Sequence, residues 1–333
     1  MLWQRRGLLF SPPARAEGVW HTHSQMPVLH HVSGSLWYMY FSGRNEANRS
    51  HAFRAELEIG EQVSVTRIDP VPTVAPGRPG SFDAYGAMPC SIIDRGNELW
   101  LYYQGWIVRN DVPFQTAIGL AISTDGGVTF EKYGKGPILA AGPNDEFSVL
   151  SPFVYRAEGD YWMYYPSITD WREWSGRPEP RYTMKRAISR DGLVWTTVPD
   201  LTLDFTSDDE GGLARPSILR QGNHFHMWYS HRGWKNYREG TEAAYRLGYA
   251  SSPDGERWQR QDDDMGFSNP PLPGDWDDTM QAYPEVVQVG EDLLCFYSGN
   301  RFGQAGIGYA RLEGGAAALA SASARVAGPQ SRS

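Results

Sequence analysis

Five prolines organise this chain. Pro27, Pro89, Pro152, Pro216 and Pro284 are spaced by 62, 63, 64 and 68 residues, and each opens a short apolar run: Met26–His31, Met88–Ile93, Ser151–Tyr155, Arg215–Leu219 and Tyr283–Val287. A turn follows each run, then a second, aromatic run: Leu36–Phe41, Leu99–Tyr103, Tyr161–Tyr165, Phe225–Tyr229 and Leu293–Tyr297. Short aromatic runs bounded by turn residues read as strands. A third strand is clearest at Ala117–Ser123, Tyr245–Ser251 and Gly306–Arg311. Three repeats then add an Asp-Gly turn and a closing aromatic, in Ser123–Phe130, Ser189–Trp195 and Ser252–Trp258. Asp-Gly supplies the positive φ of a tight hairpin, and the aromatic is expected to pack back on its own blade.

One unit seen five times, with four antiparallel strands in each, describes a propeller. The chain is therefore predicted to be all-β, a five-bladed β-propeller over residues 1–313. The last repeat stops after its third strand, while Trp3–Phe10 have no blade of their own. This N-terminal strand is predicted to close the last blade, which hides sheet edges that would otherwise invite aggregation. Residues 314–333 are rich in Gly, Ala and Ser and read as a disordered tail. The insertion Ser167–Arg181 reads as a long loop at one mouth.

Composition narrows the partners. Net charge is −8 and the pI is about 5.5, which argues against nucleic acid. Aromatics make up 13 % of the chain, rings that either fill an all-β core or form flat platforms for sugars and bases. Cys90 and Cys295 each sit in an apolar run and read as buried small hydrophobes. The apolar stretch in the first ten residues is too short for a signal peptide and no run has the length of a membrane span, so a cytoplasmic protein is expected. There is no Gly-rich phosphate loop, no nucleophile elbow and no zinc-type cysteine spacing, and no cofactor is expected.

In a propeller, the residues leading into each innermost strand gather at one mouth. Six positions before the repeat prolines stand His21, Asp83, Glu146, Glu210 and Asp278, with Asp145, Asp209 and Asp277 just before three of them. Carboxylates this close raise one another's pKa and set up an acid and a base; alternatively, they cap the loops through backbone N–H groups. Arg44, Arg49 and His51 follow the second strand of the first repeat. Arg215 precedes its proline, Arg232 follows the second strand of the fourth repeat, and Arg246 begins the third. Guanidinium groups suit carboxylate or phosphate. Arg49 or Arg215 is expected to lack a carboxylate partner. His21 and His23 form His-Thr-His, but no matched third ligand is present, so no metal is assigned.

The Ser-x-Asp-Gly-x-x-(Phe/Trp) turns, and Ile118–Phe130 followed by Gly136–Leu139, resemble the five-bladed β-propeller glycosidase superfamily of arabinanases, β-xylosidases, invertases and mannoside phosphorylases. Asn48–His51, Phe82–Pro89, Gly105–Trp106, Val112–Phe114, Ala214–Pro216, Trp228–Gly233, Trp276–Met280 and Tyr283–Pro284 resemble a branch associated with sugar and polysaccharide biosynthesis clusters. The likeness spans roughly residues 3–312. It implies a glycoside hydrolase-like enzyme acting on a small sugar conjugate, neutral or anionic, by carboxylate acid/base chemistry in the central funnel. Asp83 would be base or nucleophile, Glu210 the acid, and Asp277 a tuning carboxylate. His23, Arg44, Arg49, His51, Trp106, Arg215, Arg232, Arg246 and Tyr283 would bind substrate. The hydrolytic members carry Asp immediately before the first repeat proline and Glu two residues before the third, where this chain has Met26 and Leu150. The alternatives are a non-catalytic carbohydrate-binding propeller, or a lyase, isomerase or tailoring enzyme using the same funnel.

Overall fold

The computed structural model describes residues 1–15, 18–157, 159–240 and 242–326. Nearly all regular structure is β. The repeat prolines lie in, or immediately before, the strands Thr22–Ser33, Gly86–Asp94, Phe153–Ala157, Glu210–Gln221 and Ala282–Val289. Each pairs antiparallel with the aromatic strand that follows, namely Leu36–Arg44, Leu99–Ile107, Asp160–Trp174, His224–Gly233 and Asp292–Ser298. A third antiparallel strand follows in every unit: Ser50–Ile59, Gln115–Ser123, Arg177–Ser189, Arg246–Ser252 and Ile307–Leu312. Short outer strands complete four units. In the last unit that place is taken by Leu2–Phe10, which runs antiparallel to Ile307–Leu312 with Phe10 opposite Ile307. Single parallel bridges, Ser50 to Gly86 and Tyr182 to Gly212, merge the units into two eight-stranded sheets beside one five-stranded sheet.

The five proline-bearing strands pack against one another in chain order, and the last packs against the first. Apolar packing lies between neighbouring units: Met39, Phe41 and Phe53 of the first share one cluster with Leu294, Phe296 and Tyr309 of the last. The Asp-Gly turns serve the same end. Asp125 accepts the N–H groups of Val128 and Thr129, and Asp191 and Asp254 do likewise in their turns. Each turn then receives a tyrosine from the preceding unit: Tyr40 donates to the Gly127 carbonyl at 2.8 Å, Tyr102 to Gly192 at 3.0 Å and Tyr164 to Gly255 at 2.7 Å. The closing aromatics Phe130, Trp195 and Trp258 stand edge-on to these same tyrosines. They pack on their own unit, as expected, and also across to the preceding one: Phe130 shares a cluster with Leu101 and Ala121 and with Tyr40, and Trp258 packs with Met227 and Ala250 and with Tyr164.

Two expectations need correction. Residues 167–181 are not a loop but the extended end of a hairpin, Asp160–Trp174 with Arg177–Ser189, turning at Ser175 and Gly176 with positive φ. The tail expected to be disordered carries a helix, Gly315–Val326; Leu319 is buried with Trp3, Val286 and Leu293, and Gln221 donates to the Ala316 carbonyl at 2.8 Å. Residues 327–333 lie outside the described residues. Cys90 and Cys295 are free thiols and fully buried, as predicted. No helix is long and apolar enough to cross a membrane among the described residues.

Candidate functional site

A funnel of about 460 Å³ opens where the proline-bearing strands converge. Three residues directly before repeat prolines, Met26, Arg215 and Tyr283, hold φ of 58°, 51° and 60°, and His23 holds 59°. A bulky residue rarely accepts the left-handed region, and such conformations concentrate at functional sites. The proline that follows also disfavours the right-handed helical alternative. Ladder register breaks at these places, between Thr22 and Val28, Ala214 and Ser217, and Ala282 and Glu285. The irregularity re-aims side chains, as bulges do. Met26 and Tyr283 thereby reach the funnel, while Arg215 turns into the buried contacts between the inner strands.

The walls are aromatic: Tyr85, Trp106, Phe114, Tyr182, Tyr237, Tyr245, Tyr283 and Phe302. His23, Gln25 and Gln104 supply neutral polar groups, and Arg44, Arg177 and Arg238 supply charge. No Asp or Glu is among the lining residues.

The three carboxylates expected to be catalytic stand elsewhere, each already engaged. Asp83 is 2 % exposed and accepts from Lys132 Nζ at 2.6 Å, Tyr103 at 3.0 Å and Ser81 at 2.7 Å. Asp277 is fully buried and accepts from Tyr297 at 2.7 Å and Arg5 Nε at 2.9 Å, with a second Arg5 contact to its other oxygen. Glu210 accepts a fork from Arg260 at 2.7 and 2.8 Å and the Thr206 N–H at 2.6 Å. Burial pushes its carboxyl up, but these hydrogen bonds more than offset that and leave it below its ordinary value. Asp145 repeats the arrangement with Tyr165 at 3.0 Å and Lys185 at 3.5 Å. The capping alternative therefore describes these acids better, although their partners are tyrosines and cations more than backbone amides. Glu210, His231 and Asp262 come close enough together to resemble a metal cluster, but Arg260 bonds both carboxylates, at 2.7 and 2.6 Å, and offsets one of their two charges.

The expected binding residues divide. His23, Arg44, Trp106 and Tyr283 line the funnel; Arg49, His51, Arg215, Arg232 and Arg246 do not. Arg215 is fully buried against Glu285 at 3.0 Å and the Pro27 carbonyl at 2.6 Å, which corrects the expectation that it lacks a carboxylate. Burial pushes Glu285 up, and Arg215 opposes this only in part. Arg49 lies over the Tyr85 ring at 5.3 Å. His51 is buried, its Nδ1 3.1 Å from the Arg49 carbonyl. Arg246 donates to the carbonyls of Tyr245 and Thr279 at 3.0 and 2.7 Å. Arg232 sits behind the tyrosine wall, donating to Tyr182 at 2.9 Å.

Arg44 is the guanidinium of consequence in the funnel. It donates to Asn48 Oδ1 at 3.0 Å, its Nε is buried without a hydrogen-bond partner, and it has no carboxylate partner among the described residues. Arg238 and Arg177 share a single carboxylate, Glu179, at 2.9 and 3.5 Å. Three guanidiniums against one carboxylate leave the funnel positive. Burial, with Arg44 nearby, pushes His23 down to about 3, so its imidazole is neutral. Gln25 is 1 % exposed and its Nε2 has no partner among the described residues.

Sequence reasoning missed Gln25, Tyr237, Arg238, Tyr245 and Phe302. Tyr245 had a usable signal, since it begins a recognised third strand beside Arg246. Phe302 had none: it enters through a turn in which Arg301 and Phe302 both hold left-handed backbone, φ 55° and 58°.

The fold is shared with solved glycoside hydrolases. A glycosyl hydrolase from Bacteroides ovatus matches with a TM-score of 0.64 at 14 % identity, covering 93 % of each chain. A second solved glycoside hydrolase matches with a TM-score of 0.68 at 15 % identity, covering 92 % of this chain and 91 % of its own. The Bombyx mori GH32 beta-fructofuranosidase BmSUC1 matches with a TM-score of 0.58 at 13 % identity over 89 % of this chain and 63 % of its own. These neighbours place the chain in the fold of the propeller-type glycosidases. Within it, the chain belongs to the family of the uncharacterized proteins MT1551 and Rv1502 of Mycobacterium tuberculosis, 32 % identical over 94 % of this chain and 100 % of theirs. The Beta-1,2-mannobiose phosphorylase of a Thermoanaerobacter strain is 24 % identical over 33 % of this chain and 39 % of its own. No protein-family model matches the chain.

Proposed function

We propose that residues 1–313 form one five-bladed propeller of glycosidase type whose funnel takes a small anionic sugar conjugate and acts on its glycosidic bond. The cyclic packing of the five inner strands supports the blade count. The observation that carries the ligand class is Arg44, which faces an aromatic cavity without a carboxylate partner among the described residues. A neutral sugar makes little use of an unpaired guanidinium, and burying one without an anion is costly. The aromatic walls suit the apolar faces of a sugar ring.

Because no wall residue is acidic, cleavage by two protein carboxylates is not the course this cavity favours. Phosphorolysis fits better. An oxygen of dihydrogen phosphate bonds to the anomeric carbon, the glycosidic C–O bond breaks toward the leaving oxygen, and that oxygen takes up a proton. The cationic funnel would hold the phosphate. The absence of wall carboxylates also favours a second reading, a binding protein without turnover.

Two measurements test this. Calorimetric titration with glucuronate and glucose in parallel, on wild type and Arg44→Met, reads the anion preference. Sugar release with and without inorganic phosphate separates phosphorolysis, hydrolysis and binding alone.

A further inference from the structure

Arg232 is 2 % exposed, and no carboxylate pairs with it among the described residues. Its Nε donates to the Tyr182 hydroxyl at 2.9 Å, and its remaining bonds go to the carbonyls of Gly233 and Pro180, both at 2.7 Å. The Tyr237 ring covers the guanidinium at 3.7 Å and the Tyr182 ring lies at 4.8 Å. A buried cation with only neutral partners is expensive to keep, and ring contacts recover part of that cost. It stands directly behind the funnel wall.

The hydroxyls of Tyr182 and Tyr245 are hydrogen-bonded to each other, and both side chains line the funnel. Two hydroxyls carry two hydrogens, and the bond between them consumes one. No acceptor for the other is found among the described residues. The direction follows from Arg232: a cation donating into the Tyr182 oxygen draws electron density from it and makes Tyr182 the better donor of the pair. The order Arg232 to Tyr182 to Tyr245 leaves the Tyr245 hydrogen uncommitted among the described residues. Tyr237 touches the same guanidinium, but its hydroxyl is committed to Glu179 at 2.6 Å. Burial pushes the Tyr182 and Tyr245 phenols up, so both keep their hydrogens at neutral pH.

We propose that Tyr245 is the proton donor of the funnel, with Tyr182 and Arg232 as its positioning residues, in place of a carboxylic acid. This rests on the reading that a glycosidic bond is cleaved there. As that bond breaks, its electron pair goes to the leaving oxygen, and the Tyr245 proton transfers to the same oxygen. An oxygen of water or dihydrogen phosphate bonds to the anomeric carbon and gives its proton back to the phenolate. While it lasts, the phenolate is held by the Tyr182 hydrogen, backed by the Arg232 charge.

The test uses the full chain with inorganic phosphate present and paired 4-nitrophenyl and methyl glycosides of glucuronic acid and mannose. A nitrophenolate leaves without help, whereas methoxide needs a proton. Tyr245→Phe should slow release from the methyl glycoside roughly 100-fold, the usual scale of general acid catalysis, and release from the nitrophenyl partner several-fold at most. Tyr182→Phe, which keeps Tyr245 but severs the relay, should show a smaller split in the same direction. Folding of each variant is checked by thermal melting, and the ratio between the paired substrates reads the role even in a partly unfolded sample. Equal losses on both substrates, or the split appearing in Tyr283→Phe instead, overturns the assignment while leaving cleavage intact. A wild-type protein that binds these sugars and releases nothing removes the cleavage reading, and the donor role with it.

Discussion

The Tyr297 hydroxyl donates to Asp277 Oδ2 at 2.7 Å from a position twenty residues further along the chain. The same separation joins Tyr103 to Asp83 and Tyr165 to Asp145. In these three units a tyrosine of the second strand reaches the loop that leads into the first, whereas in the fourth unit Tyr229 bonds Asp262. A cation completes each pair: Arg5, Lys132 and Lys185 respectively. In the first unit Phe41 stands at the corresponding place, and Trp20 packs on it. The carboxylates at these positions are parts of the repeat before they are parts of any site.

Neutralising them should therefore damage the fold. Asp277→Asn and Asp83→Asn remove the negative charge that faces Arg5 and Lys132 and put an amide donor where one acceptor oxygen stood. This costs about 3–5 kcal/mol for the buried Arg5–Asp277 pair. It costs less for Asp83, because Lys132 is 29 % exposed. Denaturant titration should show the loss, and the folded fraction should bind ligand as wild type does. A variant of normal stability without activity would restore either residue to catalysis.

Arg44→Met should weaken binding of an anionic sugar by roughly 1.5–3 kcal/mol, the scale of a hydrogen bond to a charged group, and leave a neutral sugar nearly unchanged. Parallel calorimetry with glucuronate and glucose reads the difference. Equal weakening of both would make the ligand a neutral glycoside.

Burial holds His226 down at about 4, with His224 adding to the effect, and its Nδ1 lies 2.6 Å from the Tyr249 hydroxyl. In the unfolded chain a histidine takes up its proton near pH 6.5. The native state refuses that proton until the pH approaches the folded value. The contribution is thus fully present above about pH 6.5 and is lost as pH falls, by up to about 1.4 kcal/mol per pH unit. His226→Phe should flatten the fall in stability between about pH 6 and pH 4.5 by roughly one proton's slope. Urea titrations across that range, with unchanged slope in the variant, would refute a buried neutral imidazole.

Ending the chain after Glu313 removes the helix Gly315–Val326 and uncovers the surface that buries Leu319. Full burial of a leucine contributes about 1.5–3 kcal/mol, so the truncated chain should unfold at lower denaturant concentration. Unchanged stability would mean that the helix contributes nothing to the packed core.

The sequence by itself determined the strand order, the five repeats and the pairing of Leu2–Phe10 with Ile307–Leu312, because strand periodicity and turn chemistry are local and the leftover strand had one vacant place to fill. Local signals also named His23, Arg44, Trp106 and Tyr283, which line the funnel. Tertiary structure alone decided which charges are free. Asp83, Glu210 and Asp277 carried the right spacing for a ring of acids, but spacing does not reveal that Lys132, Arg260 and Arg5 arrive to bond them. Nor does it reveal that left-handed backbone turns Tyr283 into the funnel and Arg215 away from it. Those outcomes depend on partners some 50 to 270 residues away in the chain for the acids, and on the direction of single side chains for the rest, which a bulge reverses without changing the residue that stands there.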